Sequence, residues 1–168
     1  VMGGALPAEQ ICGIVGAEIR PQYHAGLKSL AEGHQATFLV QPRKQSLGYS
    51  SFIEKLRAFA PDLILVNSYS MLLHPEVLSI PRFGCVNVHS ALLPKYRGSN
   101  PLQWAIINNE TETGVTMHYM TPDFDAGDII AQRRVPIHFD DTWRDLQTRC
   151  GVATEVMLQE EMPRLLSH

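Results

Sequence analysis

Apolar and polar positions divide the chain into short segments whose periods differ. Residues 63–66 form a continuous apolar run, the pattern of a parallel strand buried on both faces. Residues 85–89, Cys-Val-Asn-Val-His, read as a β-branched strand, and 11–15, 36–40, 114–120 and 129–137 read as further strands. The last carries a proline near its end, which suits an edge or terminal position. Between the strands the period lengthens. Phe52, Ile53, Leu56 and Phe59 recur at three- and four-residue spacing, predicting an amphipathic helix over 50–60 that Pro61 stops. A weaker helix is expected over 23–32, where Gly26 opposes it, and a short one runs from His74-Pro75 to about Ile80. Asn100-Pro101 reads as N-cap and first residue of a helix with an apolar stripe of Leu102, Ala105 and Ile106. Thr142 reads as the N-cap of a last helix whose face is Trp143, Leu146, Cys150, Ala153 and Met157, running toward Leu165. Gly3-Gly4 reads as a helix end before the first strand. Strand, helix and strand alternate, which predicts an α/β fold: a doubly wound, mostly parallel sheet with helices on both faces.

Composition narrows the class. At 168 residues and 45% hydrophobic, the chain fits one domain, residues 1–168, with a sizeable core. The formal net charge is -3, with no run of like charges, so nucleic acid is not expected as a partner. Cys12, Cys85 and Cys150 are odd in number and far apart, the usage of reduced thiols in a cytoplasmic protein rather than of a disulfide framework or zinc site. His24, His34, His138 and His168 have no metal-ligand spacing, and no metal is expected. No apolar run reaches the roughly 18 residues of a membrane span, and residues 1–30 lack a signal pattern. A place in a larger polypeptide or a homo-oligomer is compatible with all of this.

Chemistry concentrates between Cys85 and Asp128. Alternate residues of a strand share a face, so Asn87 and His89 point the same way at the end of an apolar run. Two polar groups there are either satisfied turn or edge residues or a site, since strand ends of open α/β sheets bind ligands. Leu92-Leu93-Pro94 follows, and then Lys95, Arg97 and Gly98 in a loop. The strand over 114–120 opens into Thr121-Pro122-Asp123-Phe124-Asp125-Ala126-Gly127-Asp128, three carboxylates and a glycine at a second strand end.

An Asn-x-His at a strand end, a following Leu-Leu-Pro and a later Asp-x-Gly loop are together specific, and on them the chain resembles the folate-dependent formyltransferases. That family includes glycinamide ribonucleotide transformylase, methionyl-tRNA formyltransferase and the amino-sugar formyltransferases. LLPKYRG, Pro101-Leu-x-Trp104 and ETETGVTMH look most like the amino-sugar branch; formylating starter domains of peptide synthetases look similar too. The resemblance implies a Rossmann-like formyltransferase fold, here without the family's first strand and its glycine loop. It implies a cis Leu93-Pro94 bond, and 10-formyltetrahydrofolate as formyl donor. Met71, Leu72 and Leu73, otherwise a plain crossover segment, would line a pterin pocket with Thr121, Pro122, Asp123 and Phe124.

The implied reaction is formyl transfer to a primary amine of a small acceptor, a nucleotide-linked amino sugar or an aminoacyl starter. Methionyl-tRNA is less expected on the net charge. Asn87 would donate to the charge developing on the formyl oxygen. His89 would donate there or relay a proton, and Asp125 would favour its imidazolium form and hold the ring. Lys95, Arg97 and Trp104 are candidate acceptor contacts, with surface charge and helix packing as their plain alternatives. His118 is either a supporting residue behind the site or a satisfied strand histidine, while Asp123 and Asp128 read as loop caps. Two other functions compete: hydrolysis of the same donor, and a non-catalytic binding module.

Overall fold

The computed structural model describes residues 10–167, so the helix end expected at Gly3-Gly4 lies outside it. Six strands and five α-helices follow in the order β1 (Gly13–Ala17), α1 (His24–Gly33, after a 3-10 turn at Pro21–Tyr23), β2 (Thr37–Gln41), α2 (Tyr49–Ala58), β3 (Ile64–Asn67), α3 (Pro75–Leu78), β4 (Cys85–His89), α4 (Pro101–Ile107), β5 (Glu112–Tyr119), β6 (Ile129–Pro136) and α5 (Trp143–Leu166). Each strand and helix expected within these residues is present, with ends unmoved or moved by one or two residues. The fold is α/β and Rossmann-like, with helices packed on mixed sheets.

Strand directions are finer than the apolar runs foretold. β1 pairs with β2 in parallel, and a separate sheet has the order β3-β4-β5-β6. In that sheet only β3 and β4 pair in parallel, because β5 runs against both its neighbours; β3, β4 and β6 share one direction. The two sheets are joined by side-chain packing: Val15 and Leu39 lie against a cluster of Phe52, Ile53, Leu56, Val66, Leu73, Val77 and Cys85. β6 is an edge strand of its sheet, and Pro136 closes it, where a missing N–H costs no ladder bond.

The sheet carries two cores. Val86, Val88, Val115 and Met117 face α4 and α5, where Leu102, Leu146, Cys150, Met157, Leu158 and Met162 cover them. At roughly 1.5–3 kcal/mol for each fully buried large side chain, this contact is the main reason the 24-residue α5 stays on the sheet. Thr142 caps it in a capping box with Asp145. Trp143, expected on the buried face, stays 39% exposed at the first residue of the helix, with the Arg144 guanidinium over its ring. Asn100 does precede α4, but its left-handed backbone (φ 58°) prevents the side-chain cap expected there, because a capping side chain needs an extended residue.

One buried polar group fixes the turn after β4. The Thr116 hydroxyl, fully buried on β5, donates to the Ala91 carbonyl (2.6 Å) and accepts from the Leu93 N–H (3.1 Å) and from Gln132 Nε2 (2.9 Å). Gln132 also donates to the Leu93 carbonyl at 2.9 Å. The Leu93-Pro94 bond within this turn is cis. Replacing Thr116 with Val strands buried partners, so Thr116→Val is expected to cost about 1–3 kcal/mol in urea unfolding with an unchanged denaturant slope. A loss under about 0.5 kcal/mol, the scatter of ordinary surface changes, would contradict this reading of the turn.

Candidate active site

Alternation along β4 sorts its side chains. Val86 and Val88 enter the α5 core, which leaves Asn87 and His89 on the other face with Cys85. The antiparallel register sets Asn87 opposite His118 and His89 opposite Thr116, and facing residues of paired strands share a side. Four polar side chains from two strands therefore meet on one patch of sheet.

Asp125 reaches that patch by a route the apolar pattern did not reveal. It was expected at a second strand end, and it follows β5; but β5 is antiparallel to β4, and its end lies beside the start of β4, where Met120 N–H donates to the Cys85 carbonyl at 2.8 Å. The segment after β5 instead loops back until Asp125 meets Asn87, His89 and Gly98, and then rejoins the β5–β6 hairpin, where Tyr119 N–H donates to the Asp128 carbonyl at 2.9 Å. Gly127 permits this fold-back, since a Cβ there would run into the Tyr119 carbonyl. Asp125 itself is left-handed, at φ 47°.

The Asp125 carboxylate is the meeting point. Oδ2 accepts from the Gly98 N–H at 2.8 Å and lies 3.5 Å from His89 Nδ1. Oδ1 accepts from Asn87 Nδ2 at 3.3 Å and lies 3.5 Å from His118 Nε2. Each histidine is held from behind by a carbonyl, which can only accept: His89 Nε2 donates to Tyr96 O at 2.7 Å, and His118 Nδ1 to Tyr119 O at 2.9 Å. Both rings thus turn their remaining nitrogen toward the carboxylate. Burial pushes the Asp125 pKa up, but the His118 contact, the Gly98 N–H and the histidine charges outweigh it and bring the pKa down to about 2. Asn87 Nδ2 is also 3.3 Å from His118 Nε2, and its long contacts leave the amide able to re-aim at an arriving oxygen.

The other candidate residues are more scattered. Leu72 (42% exposed) and Phe124 (69%) present open apolar side chains, and Met71 and Thr121 are half-buried. Pro122 and Asp123 are exposed, with the Asp123 carbonyl accepting from the Thr121 hydroxyl at 3.2 Å. Leu73 was expected in the pocket wall but is buried beneath α2 and α3, in the apolar cluster with Phe52, Ile53, Leu56 and Val77. The buried Gln41 ties this segment down: its Nε2 donates to the Leu72 carbonyl (3.3 Å), and its Oε1 accepts from the Tyr69 hydroxyl (2.9 Å), whose pKa burial pushes up. Lys95 pairs with Glu110 at 3.3 Å, Arg97 is exposed, and Trp104 on α4 is half exposed. Burial pushes the Cys85 and Cys150 thiols up, to about 12 and about 11, so neither is a ready nucleophile. Among the described residues, no group of three or more His, Cys, Asp or Glu is placed to hold a metal ion, and no helix is long and apolar enough to cross a membrane. Two contacts were not foreseen, the Tyr96 carbonyl and the Gly98 amide. Both are main-chain groups, and only the glycine, at φ 85°, left a trace in the sequence.

The formyl transferase domain family matches residues 14–161 of this chain. The chain belongs to that family. It is 41% identical over 139 residues to a methionyl-tRNA formyltransferase of Geotalea uraniireducens (strain Rf4), covering 83% of this chain and 44% of that protein. A methionyl-tRNA formyltransferase of Macrococcus caseolyticus (strain JCSC5402) is 45% identical over 123 residues, covering 73% and 40%. The chain thus spans less than half the length of these curated relatives. Among solved structures, phosphoribosylglycinamide formyltransferase from Bacillus halodurans superposes with a TM-score of 0.81 at 25% identity, over 95% of this chain and 84% of that one. The formyltransferase PseJ from Anoxybacillus kamchatkensis, solved with a formamido sugar nucleotide and tetrahydrofolate, shares the fold at a TM-score of 0.64 and 24% identity, over 92% and 75%.

The lowered Asp125 pKa gives stability a defined pH dependence. Because the folded-state value lies below the ordinary 3.8, the ionised carboxylate stabilises the fold fully above about pH 4, and this contribution is lost as pH falls toward 2. Urea unfolding of Asp125→Asn and the unaltered protein should therefore differ most above pH 4 and converge toward pH 2. A constant difference across that range would contradict the charge-based account of this carboxylate.

Proposed function

We propose that this chain carries the formyl-transfer centre of a folate-dependent formyltransferase, passing a formyl group from 10-formyltetrahydrofolate to a primary amine. The observation that carries the reading is the convergence of Asn87 and His89 on the Asp125 carboxylate. Attack of an amine on a formyl group builds negative charge on the formyl oxygen and requires a proton to leave the incoming nitrogen. The donor molecule would supply the electrophilic carbon and the leaving nitrogen.

The protein residues supply the rest. Asn87 has a neutral, oriented N–H₂ whose contacts are long enough to be exchanged for a developing oxyanion, and losing such a donor typically costs about 10² to 10³ in rate. His89 holds one proton against Tyr96 O, so the proton it can move is the one at Nδ1, on the Asp125 side. Nδ1 would take the proton of the incoming amine and give it to the leaving nitrogen, while Asp125, ionised down to about pH 2, holds the ring and offsets the positive charge it carries in between. The donor set suits a flat heteroaromatic ring beside such a centre: Leu72 and Phe124 offer open apolar faces on segments rich in main-chain polar groups. Leu73 supports that wall from below rather than lining it.

Two acceptors stand in the proposal. The motif likeness and net charge favour a small amine such as a nucleotide-linked amino sugar. The curated relatives, at 41% and 45% identity, favour methionyl-tRNA, and the charge of a chain spanning less than half of them is a weak argument against it. Incubation with 10-formyltetrahydrofolate and each acceptor, following folate absorbance and acceptor mass, separates these. A formylated product supports transfer and names the acceptor. Folate turnover with formate release would instead show a hydrolase, and no turnover with folate bound a binding module. With an acceptor in hand, Asn87→Ala and His89→Ala should each lower turnover by about 10² or more with folate affinity within a few-fold, since both act on charge that develops in the transition state. Equal losses in affinity and turnover would contradict those roles.

A further inference from the structure

We propose that Tyr96 and Glu110 are positioning residues for His89, acting through the left-handed turn that brings the Tyr96 carbonyl onto the imidazole. This rests on the role given to His89 above. The Tyr96 carbonyl is the acceptor that decides which nitrogen of His89 keeps its proton, at 2.7 Å. It points there because Tyr96 is left-handed, at φ 56°, a conformation that residues with a Cβ seldom adopt unless their surroundings impose it.

The surroundings that impose it lie on the far side of the turn. The Tyr96 hydroxyl donates to Glu110 Oε1 at 2.8 Å and accepts from Asn108 Nδ2 at 3.0 Å. Lys95 Nζ reaches the same Glu110 oxygen at 3.3 Å. Glu110 is itself anchored, since its N–H donates to the Ala105 carbonyl of α4 at 3.0 Å. Two residues on, Gly98 donates to Asp125. The turn is therefore clamped to the end of α4 by its side chains, while its main chain supplies the groups that space His89 from Asp125. Hydrogen bonds to Tyr96 and Lys95 lower the Glu110 pKa, which keeps the clamp charged. It is the main chain of the turn that reaches the centre, through the Tyr96 carbonyl at His89 and the Gly98 amide at Asp125.

The test reads the histidine directly. In protein labelled with nitrogen-15, the His89 Nε2 proton should give a resonance protected from water exchange. Tyr96→Phe, which keeps the ring and removes the hydroxyl, should shift that resonance and speed its exchange. The same variant should lower turnover about tenfold or more at saturating substrates with KM for the donor within about two-fold, as expected of a misplaced group. Glu110→Ala should behave alike, and Glu110→Gln, which keeps an acceptor for the hydroxyl, should recover part of the loss. If Tyr96→Phe lowers only the melting temperature and leaves the His89 resonance unmoved, the clamp is structural and the proposal fails. The resonance needs no substrate, so a failure of the formyl-transfer reading would show separately, as absent turnover in the unaltered protein.

Discussion

A carboxylate set into a sheet face must find partners, and the arrangement around Asp125 follows from that requirement. An unpaired buried charge costs far more than any single contact returns, so each element near it contributes a donor. β4 sends Asn87 and His89, β5 sends His118, and the turn before α4 sends the Gly98 amide. The histidines are in turn braced by carbonyls that decide where their protons sit. Rigid strands carry the side chains, whereas the groups that tune them come from two strained segments, at Tyr96 to Asn100 and at Asp125, both with left-handed residues. That division fits a centre whose parts must be fixed while its hydrogen bonds stay exchangeable.

Much of the element pattern was legible because it rests on burial. A continuous apolar run marked β3, β-branched residues marked β4, three- and four-residue spacing marked α2, and Thr142 marked the start of α5. What could not be read was direction. Strand 112–119 has the same alternation whether it runs parallel or antiparallel to its neighbours, and its reversal is what obliges the Asp125 segment to fold back. The convergence of Asn87, His89 and Asp125 was foreseen from the family resemblance rather than from geometry. The left-handed Asn100, the core position of Leu73 and the exposed Trp143 were missed, because each is decided by what the neighbouring backbone covers and not by residue type.

Main-chain groups account for most of the remaining gap. The Tyr96 carbonyl and Gly98 amide complete the environment of the two ionisable groups, yet neither has a side-chain signature. Thr116 and Gln132 are similar: ordinary strand residues by composition, they form the buried polar network that shapes the turn after β4. Family membership, carried by a match over residues 14–161, places this organisation within the formyl transferases.

The central claim is that His89 and Asp125 act as one unit. The most direct measurement is turnover of the His89→Ala, Asp125→Asn double variant beside the two single variants, with the formyl donor and acceptor saturating. If the carboxylate works through the histidine, the double variant should lose little more than the worse single one. Losses that multiply would show two independent residues and contradict the coupling on which this reading of the centre is built.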